Sequence, residues 1–110
     1  MMTVNDICKE TDAVLVCGDA DRPFDGVYGG DLLSRAMSHV EADNIWVTIM
    51  SNINVVAVAT LTEPAAVILA EGVSLQEDAL KGAKENGITV LSSPLSAYEI
   101  CVRVNKAVSA

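Results

Sequence analysis

The chain has 110 residues, with 15 acidic side chains against 7 basic ones and a formal net charge of −8. Such a field repels a phosphate backbone, and the seven cations (Lys9, Arg22, Arg35, Lys81, Lys84, Arg103, Lys106) are too scattered to form a basic patch, so nucleic acid is excluded as a partner. Hydrophobic residues make up 51% and aromatics only 4%; a core must therefore be filled by Val, Ile, Leu and Ala, which suits a sheet covered on both faces and not a disordered chain.

The length is that of one domain, residues 1–110. Residues 1–10 carry acids and no long apolar run, so no signal peptide is read there. No apolar stretch reaches the ~18 residues that a membrane span needs; the longest, residues 64–70, is strand-sized. Cys8, Cys17 and Cys101 are odd in number and far apart, with neither zinc-ligand spacing nor a redox C-x-x-C. They predict reduced, buried thiols in a cytoplasmic protein, and no metal.

In chain order, Thr3 caps a short helix through Glu10 in which Val4, Ile7 and Cys8 share a face. Asp12-Ala-Val-Leu-Val-Cys17 reads as a buried strand stopped by Gly18-Asp19, residues 20–25 as loop, and Gly26-Val-Tyr28 as a brief extended piece running into Gly29-Gly30. From Asp31, the expected cap, Leu32, Leu33, Ala36, Met37 and Val40 recur at helical spacing. Asn44-Ile-Trp-Val-Thr-Ile49 is the next strand.

Residues 51–62 are ambiguous: β-branched density favours a strand, while the length and the closing Glu63-Pro64 suit a helix. Residues 65–70 read as a buried strand. Ser74-x-x-Glu77 is a capping box for a helix through Asn86, with Leu75, Ala79, Leu80 and Ala83 inward and Gly87 as its stop. Ile88-Thr-Val-Leu91 is the last strand, and a second box, Ser96-x-x-Glu99, opens a helix burying Ile100, Cys101, Val104 and Val108. Alternating apolar strands and helices predict an α/β fold, a three-layer α/β/α sandwich on a mostly parallel sheet of about five strands.

Pro64-Ala-Ala-Val-Ile-Leu-Ala-Glu-Gly72, the helix from Leu75 to Gly87 and Ile88-Thr-Val-Leu-Ser-Ser-Pro-Leu-Ser96 resemble the DRTGG domain and the N-terminal, non-kinase domain of HPr kinase/phosphorylase. Tyr28-Gly-Gly-Asp-Leu-Leu-Ser34 and Trp46-Val-Thr-Ile49 are similar to the glycine turn and middle strand of stand-alone DRTGG proteins, extending the resemblance over residues 12–108. Met50-Ser-Asn-Ile-Asn54 stands where such domains carry Asp-Arg-Thr-Gly-Gly, so chemistry tied to that Asp and Arg does not transfer. The resemblance implies a helix over residues 52–61, homodimerisation and an accessory role without catalysis, as in appendages of phosphate-acetyl-type acetyltransferases and CBS-containing pyrophosphatases. It also implies that stand-alone members accompany anti-sigma-factor-like ATPases and iron-hydrogenase subunits.

In a parallel sheet, ligands gather beyond the carboxyl ends of the strands. The loops expected there are Gly18-Asp19, Gly29-Gly30-Asp31, residues 48–54, Glu71-Gly72 and residues 92–96. The candidate ligand-binding residues are Gly29, Gly30, Asp31, Thr48, Ser51, Asn52, Asn54 and Ser93: backbone amides, short hydroxyls and amides at turns, which equally serve as caps and turns. Cys17 is the thiol expected nearest that rim, and His39, the lone histidine, is expected on the surface late in its helix. No phosphate-binding Gly-x-x-x-x-Gly-Lys-Ser/Thr loop exists, no catalytic residue is assigned and no cofactor is implied. The expected function is a non-catalytic, dimeric regulatory or ligand-sensing module for a small metabolite or nucleotide; the alternative is a protein-interaction subunit of a larger enzyme or ATPase complex with no small ligand.

Overall fold

In the computed structural model, which describes residues 2–109, a helix and a strand come first, and from the second strand onward strands and helices alternate. They are α1 (Val4–Glu10), β1 (Val14–Cys17), β2 (Gly26–Gly29), α2 (Leu33–His39), β3 (Asn44–Thr48), α3 (Ile53–Thr62), β4 (Ala66–Leu69), α4 (Glu77–Glu85), β5 (Val90–Ser92) and α5 (Ala97–Ser109). One five-stranded sheet has the order β1-β5-β4-β3-β2. β2, β3, β4 and β5 are mutually parallel and β1 is antiparallel to β5.

Successive parallel strands step in one direction across this sheet, so their crossover helices collect on one face. α2, α3 and α4 bury Ala36, Val40, Val55, Val56, Val58, Ala59, Ala79 and Ala83 against Trp46, Val67, Leu69 and Val90. α1 and α5 cover the other face, where Val4, Ile7, Ile100 and Val104 meet Ile45, Val47, Ile68 and Leu91. This is the expected three-layer sandwich. The alternation within each strand divides its side chains between the two cores, and every residue of β4 is fully buried.

α3 settles the ambiguous segment as a helix, the outcome the family resemblance implies. Its β-branched residues are mediocre helix formers, but burial of four of them or their small neighbours on one side outweighs propensity. Asn52 caps it by accepting a hydrogen bond from the Asn54 N–H at 3.0 Å, and Glu63 ends it in the left-handed region just before Pro64.

Several local expectations yield to tertiary packing. β1 is not a buried strand: it is the antiparallel edge, with a bulge between Leu15 and Cys17, and Val14 and Leu15 stay 65% and 45% exposed. α4 starts at Glu77 with Gln76 as its cap residue and no side-chain cap, so Ser74 does not open it; the Gln76 N–H instead donates to the Ser51 carbonyl. Leu32, Met37 and Val108 lie exposed, outside the apolar faces assigned to them. Ser96 does cap α5, accepting from the Glu99 N–H at 3.2 Å, but the Glu99 carboxylate turns to Arg103.

Two close approaches fix the layers. Gly18, at φ +98°, lies where a Cβ would come within 2.3 Å of the Thr89 Cα. α5 packs across β2 and β3, and a Cβ on Gly29 would meet the Cys101 Sγ at 2.7 Å. Gly29→Ala is expected to cost about 1–3 kcal/mol in chemical denaturation, and adding Cys101→Ala should recover most of it; a neutral single variant would contradict this packing.

At the N-terminus of α1 the Thr3 N–H donates to the Asp6 carboxylate at 2.9 Å. That bond holds the Asp6 carboxyl below its ordinary range. A depressed carboxylate pKa stabilises the fold above the unfolded value and loses that contribution as pH falls. The stability difference between wild type and Asp6→Ala is therefore expected to be constant near neutrality and to shrink below about pH 4; a difference unchanged into acid would contradict it.

Candidate functional site

The parallel strands β2 to β5 deliver their carboxyl ends to one edge of the sheet, and the loops that follow them line that rim. β2 runs into Gly30-Asp31, β3 into residues 49–52, β4 into Glu71-Gly72 and β5 into Ser93-Pro94. Because β1 runs the other way, Gly18-Asp19 lies at the opposite end, where the Asp19 N–H donates to Thr89 Oγ1. Cys17 goes with it, its Sγ 3.4 Å from the Ile88 carbonyl oxygen. Neither belongs to the rim.

Hydrogen bonding stitches these loops together. The Gly30 N–H donates to the Val47 carbonyl at 3.0 Å, and the Gly30 carbonyl accepts from Trp46 Nε1 at 3.0 Å. Asp31 is not the cap of α2, whose cap residue is Leu32 with no side-chain hydrogen bond. Instead Asp31 Oδ1 accepts from Thr48 Oγ1 at 2.7 Å and from the Ile49 N–H at 2.9 Å. The Thr48 hydroxyl accepts in turn from the Met50 N–H at 3.1 Å. A tertiary acceptor role has won over local capping, and it locks the β2 and β3 loops to each other. On the far side, the Glu71 and Gly72 N–H groups donate to the Leu95 and Ser93 carbonyls.

These contacts sort the eight candidates. Thr48 and Ser93 are fully buried. Thr48 is spent on the clasp, and Ser93 Oγ donates to the Thr11 carbonyl at 2.6 Å while accepting from the Leu95 N–H. Gly29 is small because α5 approaches it, and the Gly30 amide is already engaged. Asp31, Ser51, Asn52 and Asn54 remain on the accessible side of the loops. Among the described residues nothing bonds Asp31 Oδ2, Ser51 Oγ, the Asn52 side-chain NH2 or the Asn54 side chain. The feature that sequence reasoning missed is the clasp itself, since no local pattern couples Asp31 to Thr48.

None of the remaining reactive groups is among the accessible rim residues, although Cys101 Sγ packs against Gly29 at the end of β2. His39 is exposed at the opposite end of α2 from Asp31, stacked on Tyr28 with ring centroids 5.9 Å apart, its Nδ1 2.9 Å from the Arg35 carbonyl oxygen. Burial pushes all three thiols up from their ordinary pKa, which disfavours the nucleophilic thiolate. Among the described residues no group of three or more His, Cys, Asp or Glu is placed to hold a metal ion, and no helix is long and apolar enough to cross a membrane. A groove of about 510 Å³ lies on the α1 and α5 side, lined by Met2, Glu10, Arg103, Lys106 and Ala107, none of them a rim candidate.

Comparison with known proteins agrees with this architecture. The crystal structure of the CBS and DRTGG domains of the regulatory region of Clostridium perfringens pyrophosphatase, complexed with the activator diadenosine tetraphosphate, superposes with a TM-score of 0.70 at 13% identity. The match covers 96% of this chain and 46% of that one, so the chain spans about half the length of its structural neighbour. No curated protein matches the chain. The family model for the DRTGG domain matches residues 6–107, and the chain belongs to the DRTGG domain family.

Proposed function

We propose that this chain is a non-catalytic regulatory module, cytoplasmic and homodimeric, that takes a small metabolite or nucleotide at the rim around Asp31, Ser51, Asn52 and Asn54. The observation that carries this reading is the clasp. Two donors fix one Asp31 oxygen and leave the other without an internal partner beside a loop with uncommitted hydroxyl and amide groups. Pre-oriented polar groups of that kind bind at low entropic cost. The family supports a regulatory role, and the neighbour's complex with a nucleotide activator makes nucleotides the first ligands to test. The thiols' raised pKa and the placement of His39 outside the accessible rim residues support a role without catalysis.

A thermal-shift screen of the full chain against adenine nucleotides and acyl phosphates tests the ligand. A ligand at 100 times its Kd adds about 2.7 kcal/mol, roughly 10 °C for a domain of this size. A saturable rise with one class is expected; silence across the panel would contradict the ligand reading and favour a protein-interaction subunit of an enzyme or ATPase complex.

The second reading draws on exposed apolar side chains at Val14, Leu32, Met37, Leu61 and Tyr98, more than isolated surface residues require. These also support self-association. Light scattering at micromolar concentration is expected to give twice the chain's mass, and a strict monomer would contradict the homodimer.

A further inference from the structure

Resting on the rim reading above, we infer that the rim recognises a nucleoside through its sugar hydroxyls and its base, and disfavours the phosphates. Three observations converge. The first is charge: the loops at the carboxyl ends carry Asp31 and Glu71 and none of the seven cations, which lie on α1, α2, α4, α5 and in the β1–β2 loop. Arg35 and Lys81 come nearest in sequence, both within helices. A polyphosphate seated here has carboxylates beside it and no lysine or arginine in the loops to offset them.

The second is the geometry of Asp31. With Oδ1 saturated by Thr48 Oγ1 and the Ile49 N–H, Oδ2 is a rigidly presented acceptor. A carboxylate oxygen in a loop after a parallel strand is a recurring acceptor for a ribose hydroxyl, whereas it offers nothing to an anionic phosphate. Ser51 Oγ and the Asn52 NH2 add a donor-acceptor pair and a donor on the same loop. The third is apolar surface: the two residues that flank the carboxylate, Leu32 and Ile49, are 65% and 42% exposed. An aliphatic shelf next to a fixed carboxylate suits a flat, weakly polar base joined to a diol.

The test measures binding of adenosine, 2′-deoxyadenosine, AMP and ATP to the full chain by calorimetry at two salt concentrations. Adenosine should bind most tightly, 2′-deoxyadenosine more weakly, and each added phosphate should weaken binding severalfold. Salt should narrow the gap by screening like-charge repulsion. Asp31→Asn keeps an oxygen for Thr48 and Ile49 while replacing Oδ2 with an NH2 donor; it should weaken adenosine and strengthen ATP relative to it. ATP binding more tightly than adenosine, and losing affinity as salt rises, would overturn the inference while leaving the rim reading intact; loss of that ATP binding in Arg35→Gln would place the phosphates at Arg35. Failure of all four to bind would overturn the inference and remove adenine nucleosides and nucleotides from the rim reading.

Discussion

Four strands running the same way, with β4 sealed between two helical layers, form the constraint from which the rest follows. Ala66, Val67, Ile68 and Leu69 are all fully buried, and burying a Val, Ile or Leu side chain yields about 1.5–3 kcal/mol each. A strand buried on both faces has no use for polar side chains and must be flanked by partners on both edges, here β3 and β5. Parallel neighbours require crossover helices, and these supply α2, α3 and α4 on one face. The same parallelism brings four loops to one end. The polar chemistry of the molecule is thus placed by its apolar chemistry.

What the sequence made legible is what burial writes locally. β4 is an uninterrupted apolar run and β3 has Ile45-Trp-Val47 at its centre, and Gly87 and Pro64 mark real boundaries. α3 was not legible from its own residues, because Ile53, Val55, Val56 and Val58 have the composition of a strand; only contacts with α2, α4 and the sheet make it a helix. β1 illustrates the converse. Its Val-Leu-Val run matches a central strand in composition, yet direction and edge position depend on pairing partners about 75 residues away in sequence.

The site was legible as a set of loops and less so as a set of atoms. Asp31 satisfies the local rule for a helix cap, yet Thr48 and Ile49 claim its carboxylate. Ser93 looks like a surface turn residue and is instead buried against Thr11. Short polar side chains at turns bond whatever backbone the fold brings near them, so composition locates them and only tertiary structure shows which remain free. The segment 50–54, which departs from the five-residue motif that names the family, supplies the Asn52 cap and three of the four residues left accessible.

If the rim is the working end of the molecule, amide resonances should report it directly. Titrating adenosine into the isotopically labelled full chain should move the amides of residues 30–32 and 49–54 most, with little change around Arg22, Asp43 and Glu63 at the other end of the sheet. Largest shifts at that far end, or in the groove lined by Glu10, Arg103 and Lys106, would contradict the account.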